Sequence, residues 1–286
     1  MTNTASNVST RAAVPLDELL SSARALGLSG RWDRAARLLD ATDVAEPGAR
    51  ARIALVAAEV ALESDWFAGT DAAGARLDTA AKLLADPRPD DRWDLDFLRL
   101  RHGYLGRIRS GGRFCPGPAG KDPDALTALR GQGETLREQA PDETRRGWAE
   151  MYLGLIADNL FAESEVAARH FAAALRAGEP GDDLLSREAL RHLGGHDHDH
   201  GDRARALERW RRATALGAGA GTVPGTLSQQ LLLAASARDA GDEAGASALA
   251  REIARWAAAL GASSLAAQAE DFLTRANPTA SAASDD

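Results

Sequence analysis

The stretch whose reading decides the fold is Arg187–Leu216, REALRHLGGHDHDHGDRARALERWRRATAL. Leu190, Leu193 and Gly194 are spaced three and four apart, which sets apolar and small residues on one helix face. Ala206, Trp210, Ala213 and Leu216 repeat that spacing in the second half. Gly201-Asp202 lies between them, a break that releases one helix and caps the next. Two helices joined by so short a turn pack antiparallel. Gly194, Ala206 and Ala213 mark where their backbones can approach closely.

These residues resemble the tetratricopeptide repeat (TPR). That family places Leu-Gly in its first helix, Gly-Asp at the turn, then Ala, an aromatic and Ala in its second helix. Leu193-Gly194, Gly201-Asp202, Ala206, Trp210 and Ala213 fall on those positions. The Pro that often ends the family's unit is missing, and Gly217, Gly219 and Gly221 end this one. The resemblance implies an all-α, right-handed α-solenoid of antiparallel helix pairs. It also implies protein or peptide binding through the concave face, as scaffold, co-regulator or sensor.

Composition agrees with helices. The 286 residues are rich in Ala, Leu, Arg, Glu and Asp, with 5% aromatic and 27% charged residues, which favours helix and offers little for a sheet. That length suits one large domain, two smaller ones, or a solenoid, which escapes the usual size limit. No apolar run approaches the roughly 18 residues needed to span a bilayer. The N-terminus shows no basic region followed by an apolar core, so no secretory signal is expected. Cys115 is the single cysteine, which forbids an intrachain disulfide and suits a cytoplasmic address. Net charge is −8, and the arginines are mixed with acids, so no basic stripe marks a nucleic-acid surface.

Working outward, residues 1–14 and the tail 277–286 read as disordered flanks of a single TPR-like domain over 15–276. Leu16–Leu28 and Trp32–Leu39 form a pair around Gly30. Ala49–Glu63 pairs with Asp71–Ala85 through a turn at Trp66 and Gly69. Pro87 and Pro89 end that unit, and Asp91 is expected to cap the following helix, Arg92–Arg109. Residues 110–121, SGGRFCPGPAGK, form an inserted loop rich in Gly and Pro. Asp122-Pro123 restarts a helix. Pro141-Asp142 opens another pair, with Trp148, Tyr152 and Leu155 on its first helix and Ala167, Phe171 and Ala174 on its second. Pro224 starts the last pair, which turns at Gly241-Asp242, and Leu265–Thr274 reads as a capping helix. The sum is about six helix pairs plus a cap at a spacing of roughly 35 to 50 residues, as in helical solenoids. Trp210 and Trp256 are expected to be buried within their pairs.

The histidine run is the sharpest local feature. Helical phase puts His192, His196, Asp199 and His200 on one face and His198 on the other. Histidines at i and i+4 can share a zinc ion. The general-base Glu of HExxH is absent, and no other His or Cys cluster offers a ligand from a second helix. The expectation is therefore a solvated helix end and no bound metal, with those four residues as the fallback ligands. Asp197 points into its pair by phase, so it needs a cation, and Arg205 or Arg209 is nearest in sequence. If the solenoid curves, its first helices line the inside. Trp148, Tyr152, Asp158, Asn159, Arg191, His192, His198, Asp199, Gln229, Gln230 and Arg238 are then candidates for the concave wall, a mixture suited to a peptide or a polar small molecule.

No nucleophile elbow, Walker sequence, dinucleotide fingerprint or Cys–His dyad occurs, so no cofactor is expected and no catalytic residue is assigned. Two rival readings remain. One is a metal-dependent or acid–base enzyme centred on His192, His196, Asp199 and Asp158. The other is a structural subunit that completes a homo-oligomer.

Overall fold

A computed structural model describes residues 14–84, 88–110 and 113–274. The flanks expected to be disordered lie outside these residues except for Val14, as does Pro87. Six helix pairs follow one another: α1 (Leu16–Leu28) with α2 (Trp32–Asp40), α3 (Pro47–Ala68) with α4 (Ala73–Leu83), α5 (Pro89–Ile108) with α6 (Pro123–Glu138), α7 (Glu143–Phe161) with α8 (Ser164–Gly178), α9 (Asp183–Asp199) with α10 (Arg203–Gly219), and α11 (Val223–Asp239) with α12 (Glu243–Leu260). A last helix, α13 (Ser263–Thr274), packs on α12. No described helix is long and apolar enough to cross a membrane.

The turns follow from two residue types. Gly201 adopts φ +84°, a left-handed conformation that costs glycine nothing. Asp202 then accepts the Arg205 amide at 3.1 Å and caps α10. Asp142, Asp182 and Asp242 cap α7, α9 and α12 in the same way. Each such cap contributes about 1 kcal/mol. Asp91 does not act so: α5 begins earlier, at Pro89, and Asp91 sits in its first turn paired with Arg88 at 2.9 Å. Trp66 lies inside α3 and not at a turn, because that helix runs on to Gly69, which ends it at φ +70°.

Within a pair, a glycine lets an aromatic ring lie flat on the facing helix. A Cβ at Gly194 would stand 2.5 Å from the Trp210 indole nitrogen, and one at Gly154 would stand 2.4 Å from the Phe171 ring. Trp210 is 3% exposed, and its indole donates to the Arg191 carbonyl at 3.0 Å. Trp256 departs from the expectation and is 54% exposed. Register explains the difference. Trp210 stands eight residues after the capping Asp202; eight after Asp242 stands Ala250, fully buried, whereas Trp256 matches the position of Leu216.

The inserted segment is tied down. Arg109–Ser110 and Arg113–Phe114 form a two-residue antiparallel ladder, a local exception to the all-helical reading. Cys115 donates its amide to the Ile108 carbonyl at 2.8 Å, and Gly117 donates to the Asn159 carbonyl at 2.7 Å. Lys121 Nζ holds the Cys115 carbonyl at 2.8 Å.

The two ends of the described helical array meet. Leu20, Trp32 and Val60 share one core with Leu227, Ile253 and Leu265. α13 packs on α3, α1 touches α11, and Ser263 Oγ donates to the Ala68 carbonyl at 2.5 Å. The capping helix thus closes both ends of the array. The first helices α3, α5, α7 and α9 touch in succession and form an inner layer, with their partner helices outside.

Candidate functional site

The inner layer carries a chain of polar side chains that crosses five helices. Arg101 on α5 donates to Glu63 on α3 at 2.6 Å and to the Tyr152 hydroxyl on α7 at 3.1 Å. Burial alone would lower the Arg101 pKa, but Tyr152 and Glu63 outweigh it and hold the guanidinium charged. Glu63 also acts on Arg187 of α9, which links the two arginines in one field. Arg191, one turn after Arg187, approaches Gln229 Oε1 of α11 at 3.4 Å.

Arg187 and Arg191 occupy the space between α9 and α11. Arg187 is buried and reaches the Gly225 carbonyl at 2.5 Å and the Glu188 carboxylate. Room for it comes from Gly217 and Gly225, where a Cβ would stand 3.1 Å and 3.0 Å from its side chain. Burial pushes its pKa down to about 9, with Arg191 adding to the effect. Burial alone pushes Arg191 down to about 10, and no carboxylate among the described residues offsets it. Gln229 is fully buried, and its amide nitrogen has no hydrogen-bond partner. Arg191 donates to Gln229 Oε1 without a carboxylate partner among the described residues, and the Gln229 amide nitrogen is a buried donor with no acceptor, which is costly.

His192 lies beside this pair and stacks on Phe171, ring centroids 4.9 Å apart. Burial, then Arg191 and Arg187, lower its pKa to about 3. The unfolded chain, with a histidine near 6.5, takes up a proton below that pH, and the folded chain does not until about 3. More protons on the unfolded state means that stability falls as pH falls through this window. Between pH 6 and pH 5 the loss is about 1 kcal/mol from this residue. Urea unfolding of the parent and of His192→Leu should show it: the variant loses less stability over that interval, and equal losses would contradict the assignment.

Other sequence candidates are spread around the fold. The Trp148 indole donates to Asp182 at 2.9 Å and so serves the α7–α9 contact. Asn159 donates to the Tyr104 hydroxyl at 2.9 Å and anchors the inserted loop. Burial, then Tyr152, hold that hydroxyl well above its usual pKa. Arg238 does not face an open wall: it clamps Glu243 at 2.7 Å and the Phe272 carbonyl at 2.9 Å, joining α11, α12 and α13. His198 bonds Asp239 at 2.8 Å and tilts over Trp210, and Asp199 is exposed at the end of α9. Gln230 leaves the inner layer altogether. It lines a surface groove of about 450 Å³ with Val223, Leu227, Leu249, Ile253 and Trp256.

Asp197 is buried with Arg209 at 2.8 Å and Arg205 at 3.6 Å, the pairing its phase demands. The contact with Arg209 is ionic and not an aligned hydrogen bond, because the Arg209 N–H points to the Leu193 carbonyl at 3.0 Å. Asp158 is half-buried; burial, then Asp199, raise its pKa, and His196 opposes them. Of the four fallback metal ligands, His192 is taken by Phe171 and Asp199 stands apart. His196 and His200 do come together, and Glu165 of α8 joins them.

No protein-family model matches the chain, and no curated protein is similar to it in sequence. Among solved structures it is similar to a Rap protein crystallised in complex with competence and sporulation factor, with a TM-score of 0.57 over 91% of this chain and 71% of that one. The fold is TPR-like. Sequence identity over the match is 11%, so the likeness is one of architecture.

Proposed function

We propose that this TPR-like chain binds a peptide or protein segment that presents an acidic group to its inner layer. The observation that carries the reading is the pairing of Arg191 with Gln229, whose donors on the inner layer have no anionic acceptor. A carboxylate fits both: it accepts from a guanidinium fork and from an amide together. Tyr152 and the Arg101–Glu63 pair lie on the same inner layer and offer aromatic and charged contacts, and Glu63 acts on Arg187, one turn before Arg191. The Rap protein was solved with a bound factor, which agrees with ligand binding by this architecture. Binding as a scaffold, co-regulator or sensor fits such a seat.

Short fluorescent peptides of acidic, neutral and basic composition test this directly by polarisation with the full chain. Acidic peptides are expected to bind best, and added salt to weaken them, because screening acts on charged contacts that water reaches. Equal binding of basic and acidic peptides, unaffected by salt, would count against the reading.

A further inference from the structure

We propose that Glu165, His196 and His200 form a site for a divalent transition-metal ion of the zinc class, which bridges α8 and α9 and leaves one coordination position open. One ligand atom from each residue lies within 4.8 Å of the others. His196 and His200 stand one helical turn apart, and their rings stack with centroids 4.1 Å apart. Both turn Nε2 toward the same oxygen, Glu165 Oε1, at 3.5 Å and 3.3 Å. Those separations exceed the roughly 2.7–3.0 Å of a good charge-assisted hydrogen bond. They match the edge of a tetrahedron: bonds of about 2.0–2.1 Å from zinc to nitrogen or oxygen place neighbouring ligands about 3.3 Å apart.

The protonation pattern suits a metal as well. His200 Nδ1 lies 2.8 Å from the His196 carbonyl, which can only accept, so Nδ1 carries the proton and Nε2 of the neutral ring presents its lone pair. His196 Nε2 is shielded from water and has no hydrogen-bond partner. Two imidazoles and a carboxylate, with no thiolate, select borderline ions such as zinc over calcium or magnesium. Three protein ligands leave a fourth position for water or for a donor from a bound partner. His198 is excluded by its bond to Asp239. The site lies on α8 and the last turn of α9, separate from the Arg191 seat.

Calorimetric titration of the full chain with zinc chloride tests the site, with thermal melting in parallel. One ion per chain is expected, with a rise in melting temperature. Cobalt(II) in its place should give the visible absorption of tetrahedral coordination. Glu165 is 71% exposed and His200 52%, so Glu165→Ala and His200→Ala fold normally. Each should weaken zinc by more than the roughly 10- to 100-fold that follows loss of an outer-shell partner. His198→Ala should leave affinity unchanged. Absence of zinc binding by the parent chain overturns the proposal, and so does undiminished affinity in Glu165→Ala.

Discussion

Trp210→Ala is expected to destabilise the chain by about 3–5 kcal/mol, the range for removing a buried large aromatic from a core. The indole covers Gly194, contacts His198 and donates to the Arg191 carbonyl, so its loss opens a cavity and removes one hydrogen bond across the pair. The effect reaches the inner layer, because that carbonyl belongs to the residue whose side chain meets Gln229. Trp256→Ala is the internal comparison. Trp256 is 54% exposed, and its replacement should cost about 0.5 kcal/mol or less, as for an ordinary surface residue. Denaturant titrations of both variants check the register. A Trp210→Ala chain that unfolds at the parent's midpoint would show that the α9–α10 packing is wrong.

Arg191→Met is expected to act in opposite directions on stability and binding. The folded chain holds this guanidinium with its pKa pushed down to about 10 by burial, which is a cost to folding. An apolar side chain of similar length removes that cost, part of which is offset because Gln229 Oε1 loses its donor, and stability should rise by about 1 kcal/mol. Affinity for an acidic peptide should fall about 10- to 100-fold, the loss of one hydrogen bond to a charged group. A site held in a destabilised state for its ligand behaves in this way. A variant that loses stability would mean that Arg191 is a structural residue, whatever its effect on the peptide.

The pairs were legible in the sequence because their determinants are local. Gly201 with Asp202, and Gly241 with Asp242, state where a helix stops and the next starts within two residues. Closure of the array was not legible, because it rests on contacts between ends nearly two hundred residues apart, such as Ser263 with Ala68. Trp256 shows how phase alone misleads: a tryptophan on a helical face draws attention, but the distance from the capping aspartate fixes which position points inward. Arg187 carried a usable signal, since it is in phase with Leu190 and Gly194 on the inward face of α9. Glu63 and Arg101 carried none, because only tertiary packing brings α3 and α5 together. Glu165 was recoverable by topology. α8 runs antiparallel to α9, so the first turn of one stands beside the last turn of the other, where His196 and His200 lie.

The proposed seat of the ligand is the inner layer and not the apolar groove at Trp256. Photo-crosslinking states this most directly: the best-binding acidic peptide carries a photoreactive group, and the labelled residues are read by mass spectrometry. Labels on α5, α7, α9 and α11, around Arg101, Tyr152, Arg191 and Gln229, are the predicted result. Labels confined to the groove lined by Leu249, Ile253 and Trp256 would contradict it.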